Sequence, residues 1–504
     1  KTAYEIAQCL VGSEMCIRNR SITKVIMVRR CISIIGSGPS GFYTAHHLLQ
    51  NAKVPLEVTI WEKLPVPFGL SRYGVAPDHP NVKNCEETFT DTVNKVRNDK
   101  DSIHKFNFIG NCEVGKDVQL SDLLKKQDAV VLSYGCATDN KLGIPGENDT
   151  DGVFTSRQFV NWYNGHPDFA LHPKFMDFDW KSVRNVGIIG NGNVAIDIAR
   201  LLLSSTVSSI WGSTDINPLA LEKLRQAPIE NVKIIARRDF PNSKFTNKEI
   251  REMWQLESYG VKGHIDSKFF TPEKWNMKEQ ARTFKRCVDL FSEYVKPYEE
   301  RSAKYKKLPQ PENGVFTKHW ELDYLKTPLE IIKDGSSNRI KSLKLCNNTM
   351  SESNRVNAHP DKTLEYNLDL LITSLGYKGS PMSGFEELKI KFDRNKIANS
   401  QGRVLDTQEN TIPGLYATGW IGKGAEGVIL ATMTNSFAVA ENILKDLHSL
   451  PPKTTSIPSL ENVNSTTWED AEKILSFEEQ EGKMKDKPRE KLLTVQEMLR
   501  VVQH

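Results

Sequence analysis

Apolar residues along this chain gather in short continuous runs, and between the runs they recur every three or four positions, the alternation expected of buried parallel strands joined by packed helices. Ile32, Ile34 and Ile35 form the first run, which passes through Gly36, Gly38 and Gly41 into a helix-like segment at 42–49. A second run at 58–61 ends on Glu62, so the pattern predicts a strand–helix–strand unit. Helical period returns at 85–96, short strands are expected at 106–109 and 113–114, and the continuous apolar core of 128–135 predicts a buried parallel strand. A second strand–helix unit occupies 186–200 and is followed by an apolar strand at 232–236. Residues 368–377 read as another strand, and 414–420 lead into a long amphipathic helix expected at 428–444. A Pro/Ser/Thr-rich linker at 450–467 then precedes a tail that ends in a short helix at 495–502.

The two strand–helix turns carry the first chemistry. Gly36, Gly38 and Gly41 stand at GxGxxG spacing: the first permits a tight turn, the second lets the backbone approach a pyrophosphate, and the third lets helix and strand pack closely. Glu62 stands where an acid accepts hydrogen bonds from an adenosine ribose. In the second unit Gly190, Gly192 and Ala195 repeat the spacing as GxGxxA, but its following strand ends on Arg237 and Arg238. Guanidinium groups bind a ribose 2′-phosphate that a carboxylate would repel, so the second site should prefer NADP, and FAD is the economical occupant of the first.

Composition narrows the setting. A chain of 504 residues with 38% hydrophobic and 26% charged residues, and no apolar run long enough for a transmembrane helix, reads as globular. A formal net charge of +4 is too small for wholesale nucleic-acid binding. The eight cysteines include no CxxC pair, which argues against a redox dithiol, a zinc site or a cysteine-ligated iron–sulfur cluster, so no metal is expected. Residues 1–30 hold six basic and two acidic side chains, a balance typical of mitochondrial leaders, but part of the stretch resembles translated adapter sequence, and 1–30 is set aside as a leader or artefactual extension. Residues 271–308 carry ten basic and six acidic groups, among them Arg282 and Arg286 at helical spacing, which make either a solvated face or a docking surface.

Eight stretches together carry a further signal: GSGPSGFYTA, VPFGLSRYGVAPDHPNVKN, DGVFTSRQFVNWYNG, GNGNVAIDIAR, ARR with FTNKEIREM, TSLGYKG, LYATGW with GVI, and DKPREKLLTVQEML, of which the PFG-to-DHP loop and the WYNG segment are far more specific than any glycine fingerprint. With them the chain resembles the adrenodoxin reductases, the mitochondrial-type ferredoxin–NADP reductases of the glutathione-reductase-like flavoprotein superfamily. The resemblance implies FAD contacts at Ser40, Glu62, Leu70, Val114, Trp420, Gly427, Val428 and Ile429, and NADP contacts at Asn191, Gly192, Asn193, Val194, Arg237, Arg238, Glu249 and Gly427. It implies a polar pair near the flavin, His79 and Asp197, as the catalytic candidates, and Arg251, Arg282 and Arg286 as contacts to an acidic [2Fe-2S] ferredoxin. One departure is local: where the family tends to carry a Pro-containing loop after the Trp, this chain has residues 421–426 with Glu426, which bears on nicotinamide positioning.

The resulting expectation is an α/β protein with two doubly wound Rossmann-like dinucleotide-binding domains. A FAD domain (31–138 and 376–450) is interrupted by an NADP domain (139–375), and 451–504 follow as linker and tail. NADPH would give a hydride to flavin N5 and the electrons would leave singly to the ferredoxin, in the mitochondrion, on the matrix side or at the periphery of the inner membrane, by resemblance. A disulfide reductase would need paired cysteines and a glutamate-synthase-type subunit cysteine-rich segments, and both are missing. A non-catalytic NADPH sensor remains the alternative from another class.

Overall fold

Two parallel sheets dominate the computed structural model, which describes residues 28–311, 314–427, 429–453, 457–461 and 463–503. The first sheet runs Asn399–Ser400, Arg403–Leu405, Thr411–Ala417, Ala129–Leu132, Arg30–Ile35, Leu56–Trp61, Lys105–Ile109, and its last five strands are mutually parallel. Every residue of Arg30–Ile35 is buried because both faces are covered. Ile32 and Ile34 join one apolar core with the helix Pro39–Asn51, while Ile35 joins another with Trp61 and Leu132. This two-sided burial is why the strand reads as a continuous apolar run.

The second sheet, entirely parallel, runs Val153–Thr155, Leu370–Thr373, Asn185–Ile189, Asn231–Ile235, Lys318–Asp323, Val261–Ile265. All its strands come from the stretch between Ala129–Leu132 and Asn399–Ser400 of the first. The chain passes between the sheets at a two-stranded antiparallel ribbon in which Thr138 and Asp139 pair with Lys378 and Tyr377. A three-stranded antiparallel meander, Lys326–Lys333, Ile340–Met350 and Val356–Asn367, stands beside the second sheet.

Four expectations need correction. Residues 113–114 form no strand: Val114 makes a single bridge to Val118 within a turn. Arg30 belongs to the fold and not to a leader; its guanidinium donates to the carbonyls of Leu447 and Leu450, at 2.8 and 2.6 Å. Residues 1–27 lie outside the described residues. The strand expected at 368–377 is only Leu370–Thr373, because Tyr377 has already turned into the ribbon. Finally, the tail is no appendage. It carries a helix, Trp468–Lys483, with a full capping box at Thr467, and Trp468 is buried among Phe42, Phe68, Phe106 and Phe108 of the first sheet's core. Among the described residues no helix is long and apolar enough to cross a membrane.

Candidate active site between the two sheets

Both glycine turns have the geometry their spacing predicts. Gly36 adopts φ +100°, and a Cβ there would meet the Tyr134 backbone at 2.7 Å; Gly190 adopts φ +113°, where a Cβ would lie 2.1 Å from the Ser374 carbonyl. Gly38 and Gly192, by contrast, face open space, and a methyl group at either would have no neighbour within 4 Å. Each turn opens directly into a helix N-terminus, Pro39–Asn51 or Asn193–Ser204, whose free N–H groups and dipole favour an anion. An open backbone cradle of this kind fits a pyrophosphate twice over.

The remaining sequence candidates fall around these cradles in different ways. Glu62 accepts hydrogen bonds from the Ser37 N–H (3.1 Å) and hydroxyl (2.6 Å) and from the Leu64 N–H (3.1 Å), so the acid also fastens the first glycine turn. Ser40 donates to the Ser133 carbonyl at 3.3 Å. Leu70, half-buried, opens a single helical turn, and Val114 is buried. The Trp420 ring lies 5.7 Å from that of Tyr377, and Gly427, exposed at φ +84°, stands just before the helix Ile429–Asp446. Val428 lies outside the described residues. In the second unit the Asn193 carboxamide accepts from the Thr246 N–H at 2.8 Å, while Asn191 and Val194 are half-buried. Arg237 is exposed and Arg238 half-buried, and among the described residues neither has a carboxylate partner.

His79 and Asp197, far apart in sequence, come together with Glu249: one side-chain ligand-type atom from each lies within 4.8 Å of the others. Two residues that the motifs did not single out complete the cluster. Arg200 is nearly fully buried and reaches Asp78 (2.8 Å), Asp197 (2.9 Å), Glu249 (3.4 Å) and the His79 Nε2 (3.2 Å). Glu252 meets the same His79 nitrogen at 2.6 Å. Arg200 follows Asp197 by three positions and Glu252 follows Glu249 by three, so helical spacing already put each pair on one face. The resident guanidinium occupies the centre of the acids and would repel a metal ion. Glu249, expected at the nicotinamide nucleotide, thus faces this ionic cluster.

The cluster sets four carboxylates against two cations, and its titration follows from that. Burial pushes Asp197 up to about 7, with Glu249 and Asp78 adding to the effect against Arg200 and His79. Burial and the Arg200 charge oppose protonation of His79, but the hydrogen bond to Glu252 together with the Asp78 and Asp197 carboxylates outweighs them and leaves the imidazole above its ordinary range. Burial would raise Glu252 and Asp78 too; the bond to His79 with the His79, Arg200 and Lys248 charges brings Glu252 below the usual carboxylate range, and the Arg200 guanidinium with His79 does the same for Asp78. A cavity of about 590 Å³ opens beside the cluster, lined in part by Asp78, Arg200 and Glu252. The arrangement can hold and move a proton between solvent and the interior.

Arg251, Arg282 and Arg286 are all exposed. They lie on two packed helices, Asn247–Gln255 and Arg282–Tyr294, joined where the Asn247 carboxamide donates to the Thr283 carbonyl at 2.9 Å. Among the described residues none of the three has an ion-pair partner, so uncompensated positive charge is presented by the helix that carries Glu249 and Glu252 and by the helix packed on it.

A family model described as pyridine nucleotide-disulphide oxidoreductase matches residues 31–272. A Saccharomyces cerevisiae protein named probable NADPH:adrenodoxin oxidoreductase, mitochondrial, is 55% identical over 474 residues, covering 93% of this chain and 96% of its own. The Homo sapiens NADPH:adrenodoxin oxidoreductase, mitochondrial, is 37% identical over 94% of this chain and 92% of its own. Among solved structures, Mycobacterium tuberculosis FprA in complex with NADPH superposes with a TM-score of 0.80 at 30% identity, over 95% of this chain and 100% of that one.

Proposed function

The chain belongs to the NADPH:adrenodoxin oxidoreductase family, and on that footing we propose that it is a mitochondrial flavoenzyme that oxidises NADPH and passes electrons one at a time to a small acidic [2Fe-2S] ferredoxin. The observation that carries the reading is the pair of open glycine cradles, one backed by Glu62 and the other by two arginines that have no acidic partner among the described residues, with a buried proton-holding cluster between the units that bear them.

FAD fits the first cradle. Gly36, Gly38, Ser40 and Gly41 would hold its pyrophosphate and Glu62 its ribose, with Leu70, Val114, Trp420, Gly427, Val428 and Ile429 along the flavin. When bound, FAD supplies the exchange between a two-electron hydride donor and one-electron acceptors. The second cradle, from Gly190 to Val194, would take the NADPH pyrophosphate, and Arg237 with Arg238 the 2′-phosphate. His79 and Asp197, tied together through Arg200, would hold the proton that accompanies hydride chemistry, and the arginine surface would steer the acidic partner. The first sheet serves on this reading as the FAD domain, at 31–138 and 376–450, and the intervening 139–375 as the NADP domain. The enzyme would work in the matrix or at the periphery of the inner membrane.

An anaerobic NADPH titration of the purified protein's visible spectrum tests the proposal. A flavin absorption that bleaches with NADPH and returns on addition of an oxidised [2Fe-2S] ferredoxin supports it. A protein without extractable FAD, or one that binds NADPH without turning over any acceptor, favours the sensor reading.

A further inference from the structure

The three-stranded meander reaches the arginine pair at two points. At the first, Asn348, buried on the middle strand Ile340–Met350, donates from its carboxamide to the Arg237 carbonyl at 2.9 Å, and Thr327 on the neighbouring strand holds that carboxamide in place at 3.0 Å. The Leu325 N–H, just before the meander, donates to the Arg238 carbonyl at 3.3 Å, and the Leu325 carbonyl in turn accepts from the Asn348 N–H at 2.8 Å. The backbone of both arginines is therefore fixed by the meander and not only by their own strand.

At the second point the hairpin tip after Met350 reaches the Arg238 side chain through Asn242. Asn354, in the left-handed region at φ +60°, forms a reciprocal amide pair with Asn242, donating to its Oδ1 at 3.0 Å and accepting from its Nδ2 at 2.8 Å. The same Asn242 Oδ1 accepts from Arg238 Nη1 at 3.4 Å, and its Nδ2 also donates to Asp239 at 2.6 Å. A carboxamide whose donor side is spent on Asp239 and Asn354 can point only its oxygen at the guanidinium. Among the described residues the opposite edge of the fork has no partner.

We infer that Asn354 is a positioning residue for 2′-phosphate recognition: through Asn242 it orients the Arg238 guanidinium toward the ribose phosphate of the nicotinamide nucleotide. This rests on the assignment of Arg237 and Arg238 to that phosphate. Pre-orientation lowers the entropy lost when a flexible arginine closes on an anion, so the effect belongs in affinity for the phosphate and not in the chemical step.

The test uses the FAD-loaded, full-length protein and Asn354→Gly, which accepts the left-handed backbone while removing the carboxamide. Calorimetric titration with 2′,5′-ADP should give a dissociation constant about fivefold weaker than wild type, the size of one lost orienting hydrogen bond. KM for NADPH should rise in parallel, kcat and the kinetics with NADH should stay at wild-type values, and the effect should vanish when Arg238→Ala is already present. An unchanged 2′,5′-ADP affinity, an equal loss with NADH, or a loss that persists in the Arg238→Ala background overturns the inference. Should Arg238→Ala by itself leave 2′,5′-ADP binding intact, the phosphate assignment falls, and the inference with it.

Discussion

His79 and Glu252 meet at 2.6 Å across 173 positions of sequence, one from the loop that follows the first glycine unit and the other from a helix of the second. The contact joins the two units at the candidate catalytic centre, and both partners are shifted toward their charged forms, His79 upward and Glu252 downward.

The sign of its pH dependence follows. A histidine raised on folding gives stability that is complete below its ordinary 6.5 and disappears as pH climbs through the raised value. A glutamate lowered on folding gives stability that is complete above its ordinary 4.5 and disappears as pH falls through the lowered value. Glu252→Gln should therefore cost most between pH 4.5 and 6.5, by about 1 kcal/mol for a partly exposed charged hydrogen bond. Urea unfolding at mildly acidic and at alkaline pH checks it, and a cost independent of pH would contradict the pairing.

Asp197 behaves in the opposite sense. An acid raised on folding gives stability present below its ordinary 3.8 and lost as pH rises toward its folded value near 7. Asp197→Asn should be no more stable than wild type at pH 3.5, should gain on it as pH increases, and should reach a plateau advantage on the order of 2 kcal/mol in alkaline buffer. Thermal melts across that range measure it. Turnover with NADPH should fall in the same variant, since the amide cannot exchange a proton.

Charge reversal at Arg282 and Arg286 should raise the apparent KM for ferredoxin by roughly tenfold or more at low salt, where complementary charge sets the encounter rate. Exposed charges are screened beyond about 8 Å at physiological ionic strength, so the wild-type rate should drop steeply with added salt and the variant's should not. NADPH-to-ferricyanide activity should persist. If ferredoxin kinetics match wild type, the arginines are only a solvated helix face.

The readable part of this molecule was the part with local grammar. Gly36 and Gly190 announce their turns because their positive-φ backbones favour glycine, and Arg237 and Arg238 announce a phosphate because they follow the second unit's strand where Glu62 follows the first's. Glu252 and Arg200 were less legible: each is an ordinary charged residue on a helix until the fold brings His79 against it. The meander left no trace either, since Ile340–Met350 mixes buried and exposed positions irregularly, Val356–Asn367 has no buried position, and a register shift interrupts their pairing. Helix Trp468–Lys483 was missed because, although its inward positions keep helical spacing, only Trp468 and Ile474 of them are large and apolar, the others being Ala471, Glu478 and Gly482.

That helix supplies a further prediction. Trp468→Ala removes a ring packed edge-on against four phenylalanines of the first sheet's core, and should cost about 3–5 kcal/mol. Phe42 lies in the helix that opens at the first cradle, so the variant should also release FAD at a lower temperature than wild type. Flavin fluorescence during a thermal ramp reports both events, and an unshifted release would separate the tail from the cradle.

The burial of Trp468 also bears on how the chain acquires its structure. The second sheet is contiguous in sequence and has all its strands once residue 373 has been made. The first sheet has not: its opening helix needs Phe437 against Tyr43 and Trp468 against Phe42, contacts that span nearly the whole chain. During synthesis or translocation the helix Pro39–Asn51 must wait for Phe437 and Trp468, while the second sheet between them is already folded. Contacts so distant in sequence make closure slow, and an early apolar helix held open for that long is the part most exposed to aggregation and most dependent on chaperones.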